Sequence, residues 1–368
     1  MPLKRAHVAA SAILAIITVS IVGFYGSSHA QISGSTGFAQ QVRELSEPGG
    51  SFDTDNLISN ERSYLHVLPA LKQGRVTGGA YIGVGPDQNF SYIAAVRPSI
   101  AFIIDVRRDN LLLHLLFKAL FQMSDTRAEY LGRLVGRRLT TPPDQWRAAS
   151  LEKIASQLDV AAPREEDVQA LRKQVDAQIA AFGVPLSTKD VATIDRFHRT
   201  FIDAGLSLKF QTWGRAPRSY YPTYRELLLE TDREKRRGNF LISEDDYQFV
   251  RGLQQRDLIV PVVGDLAGPA ALAGIGRTIK QRREELSAFY VSNVELYLFQ
   301  NGVFPRYVEN LGTIPRNPRS VIIRSVFNGM WSMPDAMPGY ASASVVQKID
   351  DFASHKYSGY EQLLSSSR

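Results

Sequence analysis

The sequence of 368 residues contains no cysteine. This absence excludes disulfide bridges, thiolate metal sites, cysteine nucleophiles and a lipid anchor attached to cysteine. Histidine is scarce, and its six copies form neither an H-x-x-x-H nor an H-E-x-x-H pattern, so the sequence does not indicate a dedicated metal site. The G-x-S-x-G pattern of α/β-hydrolases and the G-x-x-x-x-G-K-[ST] pattern of phosphate-binding loops are also missing.

A strong excess of one charge is missing as well. The 43 basic and 37 acidic residues leave a net charge of +6, which falls to +4 without Lys4 and Arg5. Such a small excess does not favour a nucleic-acid-binding groove. Apolar residues make up 44% and charged residues 22% of the chain, as in ordinary globular proteins.

The N-terminus predicts an export signal or a membrane anchor over residues 1–30. Lys4 and Arg5 precede an apolar run at residues 8–25, and the run is followed by Ser28-His29-Ala30, a small-x-Ala cleavage pattern. The run lies between the length of a signal core, about 7–15 residues, and that of a membrane span, about 20 residues, so cleavage and anchoring both stay open. Either way, the rest of the chain is expected outside the cytoplasm, in the periplasm or anchored to the inner membrane. Residues 31–55 hold few large apolar side chains, which predicts a linker.

Residues 56–368 alternate between short apolar runs and helical patterns. Continuous apolar runs are typical of parallel strands covered on both faces. The pattern therefore predicts an α/β domain with a mostly parallel sheet and helices on both faces. A helical insert is expected at about residues 124–205. The predicted strands lie at residues 80–84, 99–105, 258–263, 286–291 and 319–327.

Glycine and polar residues follow four of these strands. Gly83-Val84-Gly85 follows the first strand, and Asp105 ends the second, 22 residues after Gly83. Glycines allow a tight turn and close approach of a ligand, and an acid at about this spacing of 20 residues accepts ribose hydroxyls. Asp265 follows the third strand and Asn293 the fourth. Because ligands bind at the carboxyl ends of parallel strands, we expect these residues to line one crevice.

This order of motifs resembles the class I S-adenosylmethionine-dependent methyltransferase superfamily over residues 78–123 and 257–327. The resemblance implies a Rossmann-like, doubly wound fold that carries the helical insert. It further implies that S-adenosylmethionine, or a related small-molecule nucleoside, is the cofactor. The residues that would contact the cofactor or orient the methyl acceptor are Gly83 and Gly85 in the loop, Asp105 at the ribose, Asp265 near the adenine, and Asn293 or Tyr290 at the acceptor.

Two positions depart from the family pattern. Tyr81 stands where the family usually carries an acid two residues before the first glycine, and Asp87 stands where a third glycine often follows. A carboxylate at the start of the helix disfavours the pyrophosphate of a NAD-type cofactor, because that site normally receives the phosphate charge. A NAD-type oxidoreductase is therefore the weaker alternative.

Other polar residues near the predicted crevice have two possible roles. Glu61 either reaches over the glycine loop or is a first-turn acid of a helix. Asp87 and Asn89 either bind the ligand or cap the helix that they begin. Arg107 either lines the pocket or pairs with Asp105. Aromatic residues that either stack on a planar ligand or pack structurally are Trp213, Tyr220, Tyr221 and Tyr224, near Arg215 and Arg218.

Two functions from different classes follow from these observations. The first is an exported or membrane-anchored methyltransferase with an unspecified acceptor. The second is a non-catalytic binding or scaffold protein that reuses the same fold. S-Adenosylmethionine is a cytoplasmic metabolite, so the predicted location favours the second function while the motifs favour the first.

The predicted location is testable with reporters at the C-terminus. We expect a fused alkaline phosphatase, which is active only outside the cytoplasm, to be active, because the basic N-terminal end stays inside. Deletion of residues 1–30 should abolish that activity. An active cytoplasm-dependent fluorescent reporter on the full-length chain would contradict the prediction.

Overall fold

A computed structural model describes residues 30–52, 54, 56–139, 142–212, 218–327 and 336–367. The predicted signal or anchor lies outside the described residues apart from Ala30. The six strands are β1 (Ala80–Gly83), β2 (Ile100–Asp105), β3 (Ile259–Val263), β4 (Leu286–Ser292), β5 (Arg316–Phe327) and β6 (Ser342–Lys348). The helices of the described ranges are α1 (Ala30–Leu45), α2 (Leu68–Gln73), α3 (Gln88–Val96), α4 (Arg108–Met123), α5 (Arg127–Leu134), α6 (Pro143–Arg147), α7 (Leu151–Val160), α8 (Glu165–Ala181), α9 (Thr188–Ala204), α10 (Tyr224–Leu228), α11 (Glu244–Gln255), α12 (Ala271–Gln281), α13 (Val294–Gln300), α14 (Phe304–Gly312), α15 (Ile349–Ala353) and α16 (Tyr360–Ser365).

The strands form one sheet in the order β3-β2-β1-β4-β5-β6. Every neighbouring pair is parallel except β5 and β6, which are antiparallel. This confirms the mixed α/β class and the mostly parallel sheet. The strands β1 and β2 are parallel neighbours, with Gly83 beside Ile103, and do not form a hairpin. The strand β6 was not predicted, because this segment contains small polar residues and has no continuous apolar run.

Helices cover both faces of this sheet. The central strands are buried along their length, as continuous apolar runs require. Helix α11 packs against α3 and α4, and helix α12 packs against α1 and α14. Within the described residues, no helix has both the length and the apolar character that crossing a bilayer requires.

The expected linker at residues 31–55 is instead largely structured. Helix α1 buries Phe38, Val42 and Leu45, which recur at helical spacing and pack toward β3 and α12. The segment that follows crosses the carboxyl ends of the sheet: the Glu47 N–H donates to the Val263 carbonyl at 2.8 Å. The low content of large apolar residues predicted a linker, but three apolar residues at helical spacing are enough to pack a helix against the domain.

The helices α5 to α9 occupy the range predicted as a helical insert, and three of them begin at side-chain caps. Thr126, Ser150 and Ser187 each accept a hydrogen bond from the main chain of the first turn of α5, α7 and α9. Helices α8 and α9 pack on α4. In α4, Lys118 is buried, forms an ion pair with Asp257 at 2.7 Å and contacts aromatic rings of α1 and the end of α8.

A fully buried ion pair joins the last strands to the helix after β4. Arg324 of β5 donates from Nε and Nη2 to the carboxylate of Glu295 in α13, at 2.6 and 3.1 Å. Both side chains are 0% exposed. Nη1 also donates to Gln347 of β6 and to Ser367 near the C-terminus. The guanidinium thus connects four separate segments, and its burial makes each partner necessary.

We predict that Glu295→Gln lowers the free energy of unfolding by about 3–5 kcal/mol, because it leaves the buried charge of Arg324 uncompensated. Denaturant unfolding measures this loss. The double variant Glu295→Leu with Arg324→Met should lose less than Glu295→Gln alone, since no charge stays buried. An equal or larger loss in the double variant would contradict the explanation.

Candidate functional site

A cavity of about 670 Å³ opens where the strand order reverses between β1 and β4. Residues that end or follow β1, β2, β3 and β4 line it, so it lies at the carboxyl edge where ligands bind in open α/β sheets. Its volume falls within the range of about 300–1,000 Å³ that is typical of small-molecule sites. Six residues predicted for the site line the cavity: Glu61, Gly85, Asp105, Arg107, Asp265 and Asn293.

The side chain of Asn89 holds the loop between β1 and α3. Its amide nitrogen donates to the carbonyl oxygens of Val84 and Pro86 at 2.9 and 2.8 Å, and to that of Gly85 at 3.3 Å. Its Oδ1 accepts a hydrogen bond from the Tyr81 hydroxyl at 2.8 Å. Asn89 is fully buried. Asn89, predicted to bind the ligand or to cap α3, thus holds the loop and does not line the cavity.

Gly83 and Gly85 are needed for different reasons. A Cβ on Gly83 would lie 1.9 Å from Oδ1 of Asn89, so this glycine makes room for the asparagine and does not itself line the cavity. Gly85 has a φ of +83°, which favours glycine, and it lines the cavity. Of the two glycines predicted to contact the cofactor, only Gly85 therefore exposes its main chain to the cavity.

His114 of α4 supports the same loop from below. Burial lowers the pKa of His114 to about 4, so the ring is neutral at physiological pH. Its Nε2 lies 2.9 Å from the Gly85 carbonyl oxygen, to which it donates a hydrogen bond. The imidazole therefore positions the loop and is not a titrating group of the site.

Asp105 faces the cavity paired with Arg107. The guanidinium donates to Oδ1 at 3.0 Å and to Oδ2 at 2.8 Å, and the main-chain N–H of Arg107 donates to Oδ1 at 2.9 Å. Nη1 reaches the Thr54 carbonyl at 2.9 Å. The pair fixes the orientation of the carboxylate. Since Oδ2 accepts one hydrogen bond from the described residues, it retains acceptor capacity for a ribose hydroxyl.

Asp265 and Asn293 lie at the ends of β3 and β4 as predicted. The Asp265 side chain is exposed at the cavity rim, and its Oδ1 accepts a hydrogen bond from the Ala267 N–H at 2.9 Å. Asn293 begins α13, yet its side chain makes no capping hydrogen bond to that helix. The Asn293 Oδ1 accepts a hydrogen bond from Ser292 Oγ at 3.4 Å, and both Asp265 and Asn293 line the cavity.

Glu61 is a buried carboxyl group that lines the cavity beside β4 and β5. It accepts hydrogen bonds from the hydroxyls of Tyr290, Ser292 and Ser325, the last at 2.6 Å. Desolvation raises its pKa, and the three hydroxyls oppose that effect. Ser292, at the end of β4, has a φ of +53°. Glu61 thus reaches the ligand space and is not a simple helix acid: it precedes a 3₁₀ turn at Arg62–Val67.

Asp87 and Tyr290 lie beneath the cavity and do not line it. The carboxyl of Asp87 is buried and accepts a hydrogen bond from the Tyr224 hydroxyl at 2.7 Å. Tyr290 is fully buried, donates to Glu61 and accepts a hydrogen bond from Gln88 Nε2 at 3.3 Å. In this structure Asp87, predicted at the cofactor, and Tyr290, predicted at the acceptor, bond to neighbouring side chains and not to the cavity surface.

Aromatic side chains form one wall of the cavity, where the sequence left open whether they stack on a ligand or pack structurally. Phe210, Tyr220 and Tyr221 line the cavity with mutual ring distances of 5.0 and 5.1 Å. At the mouth, Phe52 contacts Tyr297 edge to face at 5.1 Å. Trp213 and Arg215 of the predicted aromatic set lie outside the described residues, and Tyr224 belongs to the core. The wall offers flat apolar surface to a planar ring.

The fold and this site define an α/β protein with a ligand-sized cavity at the carboxyl edge of its sheet. Residues 56–183 and 186–363 match a family described as a domain of unknown function (DUF7790), and the chain belongs to that family. A search of curated proteins found no match to the chain.

We predict that Asp87→Asn stabilises the protein at neutral pH. Burial raises the pKa of Asp87 from 3.8 to about 6 in the folded state. The folded protein therefore loses stability relative to the unfolded chain as the pH rises from about 4 to about 6. The variant, which cannot ionise, should gain about 1–3 kcal/mol over the wild type at pH 7, and the gain should vanish below pH 4.

Thermal or denaturant unfolding across this pH range measures the difference. The matched control is Asp144→Asn, because the Asp144 side chain is 92% exposed. A gain that is independent of pH would contradict the assignment of the raised pKa to Asp87.

Proposed function

We propose that the chain is a Rossmann-like, doubly wound protein that binds S-adenosylmethionine, or a related nucleoside, and acts as a methyltransferase. The observation that carries this proposal is the position of the cavity. The cavity lies where the strand order reverses. It is lined by the main chain of Gly85, in the loop after β1, and by Asp105 at the end of β2. A nucleoside requires this combination of close main-chain approach and a ribose acceptor.

The residues present fit such a group. By the resemblance, Asp105 would hold the ribose, Asp265 would lie at the adenine end, and Asn293 would face the transferable group. The aromatic wall of Phe210, Tyr220 and Tyr221 lines the same cavity and suits a planar base or acceptor. A bound sulfonium would supply an electrophilic methyl group. The chain itself would contribute mainly alignment, which requires few diagnostic side chains.

The charge of the cavity supports a cationic ligand over a phosphate. Among the described lining residues, the acids Glu61, Asp105 and Asp265 outnumber the cations Arg107 and Arg218. Arg107 is already paired with Asp105, and in the described part of the chain the groups bonded to Glu61 are hydroxyls. A pyrophosphate would meet uncompensated carboxylates, whereas a sulfonium or ammonium would neutralise them. This argues against a NAD-type cofactor.

Calorimetric titration of the full chain with S-adenosylmethionine tests the proposal. We expect saturable heat for the wild type and about 10- to 100-fold weaker binding for Asp105→Asn, because a hydrogen bond to a charged group is lost. Asp144→Asn, a change of an exposed acid that does not line the cavity, serves as the control. A folded wild type that gives no heat at high ligand concentration would reject the proposal.

A second candidate is a non-catalytic binding or scaffold protein. Its support is the Asp105–Arg107 pair, which already satisfies most of the carboxylate without a ligand. The same fold would then present its aromatic mouth, with Phe52 and Tyr220 at 42% and 40% exposure, to a partner. The proposed location outside the cytoplasm suits this function, since it does not depend on a cytoplasmic metabolite.

A further inference from the structure

Behind Glu61 lies a cluster of buried serines, of which the site described above includes only Ser325. We infer that four of them, Ser325, Ser344, Ser63 and Ser342, form a path that carries protons between Glu61 and a second cavity. These four residues are called the serine chain here. They come from three segments: Ser325 from β5, Ser342 and Ser344 from β6, and Ser63 from the 3₁₀ turn at Arg62–Val67.

The serine chain is continuous in hydrogen-bond distances. Ser325 Oγ donates to Oε2 of Glu61 at 2.6 Å and lies 3.2 Å from Ser344 Oγ. Ser344 Oγ lies 3.1 Å from Ser63 Oγ, which in turn lies 2.9 Å from Ser342 Oγ. All four serines are at most 2% exposed. Since each hydroxyl both donates and accepts, a proton can pass along the row by successive transfers.

The two ends of the serine chain lie at different cavities. Glu61 lines the main cavity, and Ser342 lines a second cavity of about 160 Å³. The second cavity is also lined by the charged residues Arg62, Lys209 and Glu226. The residues common to both linings, which form a wall between the cavities, are Asn60, Tyr220, Tyr221 and Ala341. The serine chain therefore connects the two cavities by a route around these shared lining residues.

Stability alone does not account for this arrangement. Hydroxyls buried together gain little over apolar side chains of the same shape, because each must first be taken out of water. A row made of hydroxyls only is also the arrangement that conducts protons, since an amide or a main-chain carbonyl would interrupt the exchange of donor and acceptor roles.

Glu61 is the group at the end of the row that can take up a proton. The titratable groups that act on it are tyrosines: Tyr290 on β4, Tyr92 on α3 and Tyr360 on α16. Burial raises the pKa of each tyrosine, so they stay protonated at physiological pH. In the described ranges, no lysine or arginine forms an ion pair with Glu61. Proton exchange at this end therefore falls to the carboxyl.

The path specifies the class of methyl acceptor, an extension that rests on the proposed function. An acceptor with a hydroxyl or amine must lose a proton, whereas a carboxylate acceptor need not. In the transfer, the oxygen or nitrogen of the acceptor forms a bond to the methyl carbon. The carbon–sulfur bond breaks, and its electron pair stays on sulfur. The proton that the acceptor loses passes to Glu61. It then leaves through the serine chain while the main cavity is filled. We therefore assign the acceptor to the hydroxyls or amines.

Infrared spectroscopy of the full chain without ligand tests the path, because Glu61 is only 2% exposed and has little direct contact with solvent from the main cavity. Below the raised pKa of Glu61, its protonated carboxyl gives a band that Glu61→Gln removes, which assigns it. After rapid mixing into deuterated buffer, the shift of this band reports proton exchange at Glu61. We expect Ser344→Val to slow that exchange by about tenfold, because one link worth about 1.4 kcal/mol is missing. In Ser344→Thr the new side chain has the same shape as valine but keeps a hydroxyl, so the proton at Glu61 should exchange at the wild-type rate.

The Val and Thr variants share any misfit in β6, so a difference between them reports the hydroxyl and not the fold. Ser287→Ala, a serine at the opposite end of β4 that donates to Gly78, is an unrelated control and should not alter the rate. Equal exchange in the Val and Thr variants overturns the proton path. This readout needs no cofactor, so the proton path can be confirmed even if S-adenosylmethionine does not bind. Failure of S-adenosylmethionine to bind would remove only the assignment of the acceptor.

Discussion

The loop after the first strand takes its shape from one asparagine, and the cavity depends on that shape. Asn89 binds three successive carbonyl groups of the loop from inside the protein and is itself bound by Tyr81. The hydrogen bonds leave Gly85 at the cavity surface, and the absent side chain of Gly83 leaves room for the asparagine. A tight loop that satisfies its carbonyls internally has its remaining main-chain surface free for a ligand.

The site also retains two buried carboxyl groups whose partners are hydroxyls and not cations. Glu61 has three hydroxyl partners and Asp87 has the Tyr224 hydroxyl. Desolvation raises the pKa of both groups. By contrast, Arg324 and Glu295 neutralise each other in the core. Uncompensated carboxyls cost stability, and a buried carboxyl that lines a cavity, as Glu61 does, is the pattern expected of a functional site.

Part of the fold and of the site was predictable from local patterns. The five apolar runs became the five strands β1 to β5, and the residues that end them lie at one edge, because parallel strands bring their carboxyl ends together. The prediction was wrong for residues 31–55, where sparse apolar residues dock a helix. The strand β6 was missed because alternating small residues leave no strong signal.

The sequence by itself determined which residues end the strands, since hydrophobic periodicity is a local property. Only the tertiary structure decided which polar side chains face the cavity. Glu61 meets Ser292 across 231 positions and Ser325 across 264, and no local pattern encodes such contacts. Likewise Asn89 and Asn293 are equally polar in the sequence, yet one packs under the loop and the other faces the cavity. The order of strands in the sheet, set by packing of the whole chain, makes that distinction.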